Sequence, residues 1–109
     1  MKPKIKVKES DILKSILDYL RWCGVFCWRN RTVGIWNEKG QGYIPAEMKG
    51  VSDISAVWQG RHIAIECKVP GNKPTDAQKE FLNNVIMSGG IAFIATSIED
   101  VEENLKDLM

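Results

Sequence analysis

The stretch "GVSDISAVWQGRHIAIECK", residues 50–68, carries the strongest structural signal in the sequence. Apolar and polar residues alternate on both sides of the Gln59–Gly60 dipeptide, which is the period of half-buried strands. Glycine supplies the positive φ that a two-residue hairpin turn requires. The stretch therefore predicts a β-hairpin with strands over 51–59 and 61–68.

Three charged side chains stand inside these strands, namely Asp53, Glu66 and Lys68. If Trp58 pairs with Arg61 across the turn, Asp53 lies directly opposite Glu66, with Cβ atoms about 4.5–5.5 Å apart. Lys68 follows on the same face, about 6.5–7 Å along the strand. Like charges directly opposite one another destabilise a sheet, so this carboxylate pair needs a compensating cation.

Two cations are possible partners of the pair. Lys68 alone can neutralise one charge in an exposed salt-bridge ladder. A divalent metal is the other choice, and the apolar Val57 and Ala64 favour it because they indicate a partly covered face. Mg²⁺ takes one or two carboxylates and keeps waters for a substrate phosphate. A lysine beside it can hold or deprotonate the attacking water.

The other elements follow from periodicity and end signals. They are a helix over 9–23, a strand over 25–33, a loop or irregular hairpin over 34–50, a helix over 76–88, a buried strand over 91–96 and a final helix capped by Ser97. This order predicts an α/β fold with a mixed sheet.

Apolar residues of the two longer helices predict their buried faces. They are Ile12, Leu13, Ile16, Leu17 and Leu20 in the first helix, and Ala77, Phe81, Leu82, Val85 and Ile86 in the second. The tryptophans Trp22, Trp28, Trp36 and Trp58 are mostly core candidates, and Trp36, in the glycine-rich loop, is the one expected to stack on a base.

Length and composition predict one domain over 9–109, preceded by a basic lead-in over 1–8. The net charge of +1 does not by itself indicate a nucleic-acid binder. Three cysteines and one histidine, without a CxxC pair, make structural zinc improbable. The sequence has no apolar run of about 18 residues and no signal-peptide pattern, which predicts no membrane association and a cytoplasmic protein.

Asp53 and the Glu66-Cys67-Lys68 triplet resemble the D-(x)n-E-x-K signature of PD-(D/E)xK nucleases. The context resembles the VRR-NUC branch of that superfamily, in the small stand-alone form often found in phages: Glu9 opening the first helix, "KGVSD" at 49–53, "GRHIAIECKVPGNKPTDAQKEF" at 60–81, and a "GG" pair before the last strand. The likeness runs from Glu9 to about residue 101. It implies a restriction-endonuclease-like αβββαβ core, a mixed central sheet flanked by helices.

The resemblance assigns a role to each matching residue. Asp53 and Glu66 match the metal-binding carboxylates, the main-chain carbonyl of Cys67 matches a further ligand, and Glu9 matches a first-helix glutamate that binds or orients near the metal. Ser52 stands where many members of the family have proline before the aspartate.

Two further residues match catalytic positions of the family, namely Lys68, as the catalytic lysine, and Gln78, as the helix glutamine that faces the site. Gln78 also completes a capping box with Thr75, and Glu9 also suits a helix N-terminus electrostatically, so both positions have a purely structural explanation as well.

The function that the resemblance implies is a Mg²⁺- or Mn²⁺-dependent DNA endonuclease. It would be selective for branched or junction DNA in phage replication, recombination or repair. It would act as a homodimer in the cytoplasm of a bacterium or of a phage's bacterial host. Arg29, Arg31, Lys73 and Trp36 are the expected nucleic-acid contacts. The alternatives are a non-catalytic nucleic-acid-binding module that keeps the nuclease fold, and a purely structural or interaction protein.

Overall fold

The structure, a computed structural model, describes residues 7–30, 35–37, 42–44 and 48–109, with only the backbone described for 35–37 and 42–44. In chain order, the described residues form α1 (Glu9–Trp22), β1 (Phe26–Arg29), β2 (Ile35–Asn37), β3 (Gly42–Ile44), β4 (Ile54–Trp58), β5 (Arg61–Cys67), α2 (Asp76–Met87), β6 (Ile91–Ala95) and α3 (Ile98–Leu105). Most of the predicted lead-in over 1–8 lies outside these residues.

Four strands form one mixed sheet in the order β1-β4-β5-β6. β1, β4 and β5 are antiparallel neighbours, whereas β6 runs parallel to β5. β2 and β3 pair in a separate antiparallel hairpin within the predicted loop. The prediction of an α/β fold with a mixed sheet is confirmed.

The β4–β5 hairpin has the predicted register, with Trp58 opposite Arg61. Both turn residues have positive φ, 47° at Gln59 and 82° at Gly60. This is the mirror-image turn whose twist matches that of the flanking strands. The register places Asp53, just before β4, beside Glu66 of β5.

The main core lies on the face of the sheet that α1 and α3 cover. The predicted apolar stripe of α1 is buried there against Ile54, Ala56, Ile63 and Ile65. The opposite face, here called the α2 face, carries the alternate residues of the strands: Ser55, Val57, His62, Ala64 and Glu66. Among the described elements, the main contacts of helix α2 with this face are over β5 and β6.

Three predicted core positions are wrong. Trp22 is 86% exposed, because it is the last residue of α1 and lies beyond the buried stripe. Trp28 is 38% exposed because it projects from the α2 face of β1, two strands away from the helix. Ile86 is 51% exposed, and Leu82 is the buried residue of α2.

Of the strand predicted over 25–33, residues 31–33 lie outside the described residues, and the described part forms β1 over Phe26–Arg29. After β1, Asn30 donates its main-chain N–H to the carbonyl of Asp53. No helix within the described ranges is long and apolar enough to cross a membrane.

Candidate metal centre

Three carboxylates meet at one end of the sheet. Glu9 is the first residue of α1, Asp53 directly precedes β4, and Glu66 is the second-last residue of β5. One carboxylate oxygen of each lies within 4.8 Å of the others. The sequence prediction placed these three residues in one site, and the structure brings them together.

Main-chain contacts hold Asp53 in place. Its Oδ2 accepts a hydrogen bond from the N–H of Cys67 at 2.9 Å. Its carbonyl accepts from the N–H of Asn30 at 2.8 Å. The aspartate is therefore anchored to strand β5 on one side and to the end of β1 on the other.

Glu66 is the most buried member of the cluster, with 1% of its surface exposed. Its Oε1 accepts from Nε2 of Gln78 at 3.1 Å. Its Oε2 is buried and has no hydrogen-bond donor among the described residues. A buried, ionised carboxylate oxygen without a partner is costly, so this atom calls for a cation or a proton.

Burial raises the pKa of Glu66 to about 8, and the adjacent carboxyl group of Asp53 acts in the same direction. The negative charges of Asp53 and Glu9 raise this pKa further, whereas the charge of Lys68 lowers it. Without a cation, Glu66 therefore retains its proton at neutral pH. A bound divalent ion would replace that proton.

Gln78 serves two purposes at once. Its Oε1 accepts from the N–H of Thr75 at 2.8 Å, while its N–H donates to Oγ1 of Thr75 at 3.2 Å, which completes the predicted capping box. Its Nε2 remains available and donates to Glu66. The start of α2 thus orients the buried carboxylate.

Lys68 directly follows β5 and is half-buried. Its main-chain N–H donates to the carbonyl of Ala95 at 3.0 Å, which extends the parallel pairing with β6. Among the described residues, its ammonium group forms no ion pair within 4.0 Å. The described residues around Lys68 therefore do not form the exposed salt-bridge ladder that was the alternative to a metal.

The side chain of Cys67 is not available as a ligand. It is fully buried in the main core, and burial, followed by the charges of Asp53, Glu66 and Glu9, raises the pKa of its thiol to about 12. A protonated thiol does not bind a metal, so only the main-chain carbonyl of this residue can contribute.

Two residues that sequence reasoning missed shape the site. Asn30 donates from Nδ2 to the carbonyl of Ser52 at 2.9 Å and to Oγ of Ser55 at 2.7 Å, on both sides of Asp53. Gly50 has φ +77°, and a Cβ there would lie 2.2 Å from the carbonyl oxygen of Ala77. The only sequence signals were an asparagine after a strand and a glycine three residues before the aspartate.

The expected nucleic-acid contacts are less defined. Arg29 and Lys73 are exposed, and neither forms an ion pair with the three carboxylates in the described part of the chain. Arg31 lies outside the described residues, and Trp36 falls in β2, where only the backbone is described.

No protein-family model matches the chain, and a search of the curated proteins also gave no match.

Proposed function

We propose that this protein is a metal-dependent nuclease that hydrolyses phosphodiester bonds in DNA. The observation that carries the proposal is the buried Oε2 of Glu66, which lacks a partner among the described residues and belongs to a cluster of three carboxylates. A cluster of acidic groups at the surface needs no ion. A buried carboxylate without a donor can ionise at neutral pH only if a counter-charge replaces its proton.

The donor set fits a hard divalent cation. Carboxylate oxygens are the ligands that Mg²⁺ and Mn²⁺ prefer, and the nearby thiol of Cys67 is held protonated. Glu66 and Asp53 would hold the ion, with Glu9 and the carbonyl of Cys67 completing or supporting its coordination. The ion would supply charge stabilisation at the phosphate and a more acidic water.

The protein's own residues provide orientation and proton handling. Asp53 is fixed by two main-chain N–H groups, and Glu66 is fixed by Gln78. Lys68 lies on the same end of the sheet, with an ammonium that no described carboxylate binds. It would hold the attacking water and stabilise the negative charge that develops as the P–O bond to the leaving group breaks.

The order of elements around the main sheet supports the finer classification. Without the β2–β3 hairpin, the chain runs α1, β1, β4, β5, α2, β6, which is the αβββαβ order of PD-(D/E)xK nucleases. Together with the resemblance to the VRR-NUC branch, this favours a restriction-endonuclease-like core. A domain of this size has little surface for reading bases, so we propose selectivity for branched DNA, with a homodimer presenting two sites.

The test is cleavage of labelled duplex, single-stranded, flap and four-way-junction DNA in Mg²⁺, Mn²⁺ or EDTA. The wild type is compared with Lys68→Ala and with the control Lys106→Ala, which removes an exposed lysine from the end of α3. We expect metal-dependent cleavage that is lost only in Lys68→Ala. No cleavage of any substrate, with DNA still bound in EDTA, would instead identify a non-catalytic binding module.

A further inference from the structure

We propose that Phe26 and Trp28 form a stacking platform for an unpaired nucleobase beside the carboxylate cluster. The inference rests on the proposed nuclease function and names a feature of its substrate, a base outside the duplex stack close to the bond that is cut.

The two rings form an exposed apolar surface. Phe26 is 70% exposed and Trp28 is 38% exposed, and their ring centroids are 5.2 Å apart with planes tilted by 48°. Phe26 stands opposite Val57, which is 36% exposed, and Trp28 stands opposite Ser55. Adjacent exposed apolar side chains of this kind favour a binding surface over the chance exposure of single residues.

The platform is continuous with the candidate metal centre. Both rings project from the α2 face, and Glu66 lies on that same face of the sheet. Asn30 is two residues beyond Trp28 and bonds to Asp53 across one strand. Strand geometry therefore separates the Cα atoms of Trp28 and Asp53 by about 8 Å, which two or three nucleotides of a strand rising about 3.4 Å each would cover.

Asn30 links the platform to the site. Its Oδ1 accepts from the indole N–H of Trp28 at 3.0 Å, while its Nδ2 bonds to Ser52 and Ser55. The indole is thus oriented by the same residue that holds the segment around Asp53. A ring already fixed in position loses little conformational entropy when a base stacks on it.

The chemistry of the surface favours an unpaired base as its occupant. Aromatic rings stack on the faces of bases, and every base has such a face. In an intact duplex these faces are covered by neighbouring base pairs, so only a flipped, flap or single-stranded base can reach the rings. The platform would therefore select DNA with an unpaired base within a few nucleotides of the reacting phosphate.

The test measures the affinity of the whole protein for a labelled single-stranded oligonucleotide and for a blunt duplex, by fluorescence anisotropy in EDTA, where no cleavage occurs. Trp28→Leu and Trp28→Phe both lose the hydrogen bond to Asn30, but only the phenylalanine keeps an aromatic face. Trp22→Leu is the matched control, because it removes an exposed tryptophan from the end of α1. Thermal melting confirms that each variant is folded.

We expect Trp28→Leu to weaken single-strand binding by about tenfold. Trp28→Phe should weaken it by less, because it loses the hydrogen bond to Asn30 but keeps an aromatic face, and Trp22→Leu should match the wild type. Duplex binding should be nearly unchanged in all three variants. Equal affinities of Trp28→Leu and the wild type for the single strand would overturn the platform. So would failure of the wild type to bind any DNA. Loss of self-association in Trp28→Leu, with DNA binding unchanged, would overturn it in favour of a surface for a second copy.

The cleavage panel separates this inference from the proposed function. If cleavage depends on metal but Trp28→Leu binds the single strand as tightly as the wild type, the nuclease function is supported and the stacking platform is contradicted. If no substrate is cleaved but single-strand binding depends on Trp28, the nuclease function is contradicted and the base-stacking surface is supported.

Discussion

Replacing Glu66 with glutamine should stabilise the metal-free protein and abolish its stabilisation by divalent metal. The amide keeps the size of the side chain and can still accept from Nε2 of Gln78 through its oxygen. It removes the ionisable group whose charged form is unfavourable in this buried position. The two effects have opposite signs, so a single variant tests both.

The magnitude follows from the pKa of Glu66, which is about 8 in the folded protein compared with an ordinary value of 4.5. Between these values the folded state binds more protons than the unfolded state, so the free energy of unfolding falls as the pH rises. At about 1.36 kcal/mol per pKa unit, the loss between pH 5 and pH 8 is on the order of 3–4 kcal/mol. The other shifted groups among the described residues titrate outside this window.

Urea unfolding at several pH values between 5 and 8 measures this loss, in EDTA and in excess Mg²⁺ or Mn²⁺. We expect the wild type to lose stability with rising pH in EDTA and to recover it with metal, most strongly at pH 8. Glu66→Gln should show neither effect, and Glu103→Gln, an exposed glutamate paired with Lys106, should behave like the wild type. A flat wild-type profile, or equal metal stabilisation in Glu66→Gln, would refute the reasoning.

Four further substitutions test the contacts at the starts of α2 and α3. Gly50→Ala should lower the free energy of unfolding by about 2–5 kcal/mol in urea titrations, because the positive φ disfavours alanine and its Cβ would collide with the main chain of α2. Thr75→Ala should lower the free energy of unfolding by about 1 kcal/mol through loss of the N-cap. Gln78→Ala should lower it by more, and increasingly so at high pH, because this change also removes the donor to Glu66. Equal and pH-independent losses in the two variants would contradict this reasoning. Asp100→Asn should reduce the loss of stability in acid, because hydrogen bonds from Thr96 lower the pKa of this carboxyl below its ordinary value of 3.8. The stability that the ionised carboxyl contributes is lost as the pH falls from 3.8 through this lowered pKa. Acid titration followed by circular dichroism measures the loss.

The register of the central hairpin was predictable because a two-residue turn leaves few alternatives. Once Gln59–Gly60 is the turn, the side-chain alternation places Asp53 opposite Glu66 without any further information. The apolar stripe of α1 and the Thr75–Gln78 capping box were predictable for the same reason, because they too are set by local sequence. Each depends on residues within a few positions of one another.

The contacts of Asn30 and Gly50 were not predictable, because their partners are distant in sequence. Asn30 bonds to residues 22 and 25 positions away, and Gly50 packs against the first turn of α2. The exposure of Trp28 has a similar origin. Tryptophan is a core candidate from its residue type alone. Trp28 projects from the α2 face of β1, and only the sheet topology shows that α2 contacts this face over β5 and β6, two strands away from β1.

The helix ends at the site do not remove the need for a cation. α1 begins at Glu9, and the first turn of α2 contains Gln78, so the partially positive ends of two helices lie near the carboxylates. Each helix end contributes about 0.3–1 kcal/mol to a nearby negative charge. Ionising Glu66 in the folded protein costs about 5 kcal/mol more than ionising an ordinary glutamate, because its pKa is about 8 rather than 4.5, and this penalty is several times larger than the helix contributions. Two helix ends and the half-buried Lys68 together leave the cluster short of positive charge, and this deficit is the physical reason to expect a divalent ion there.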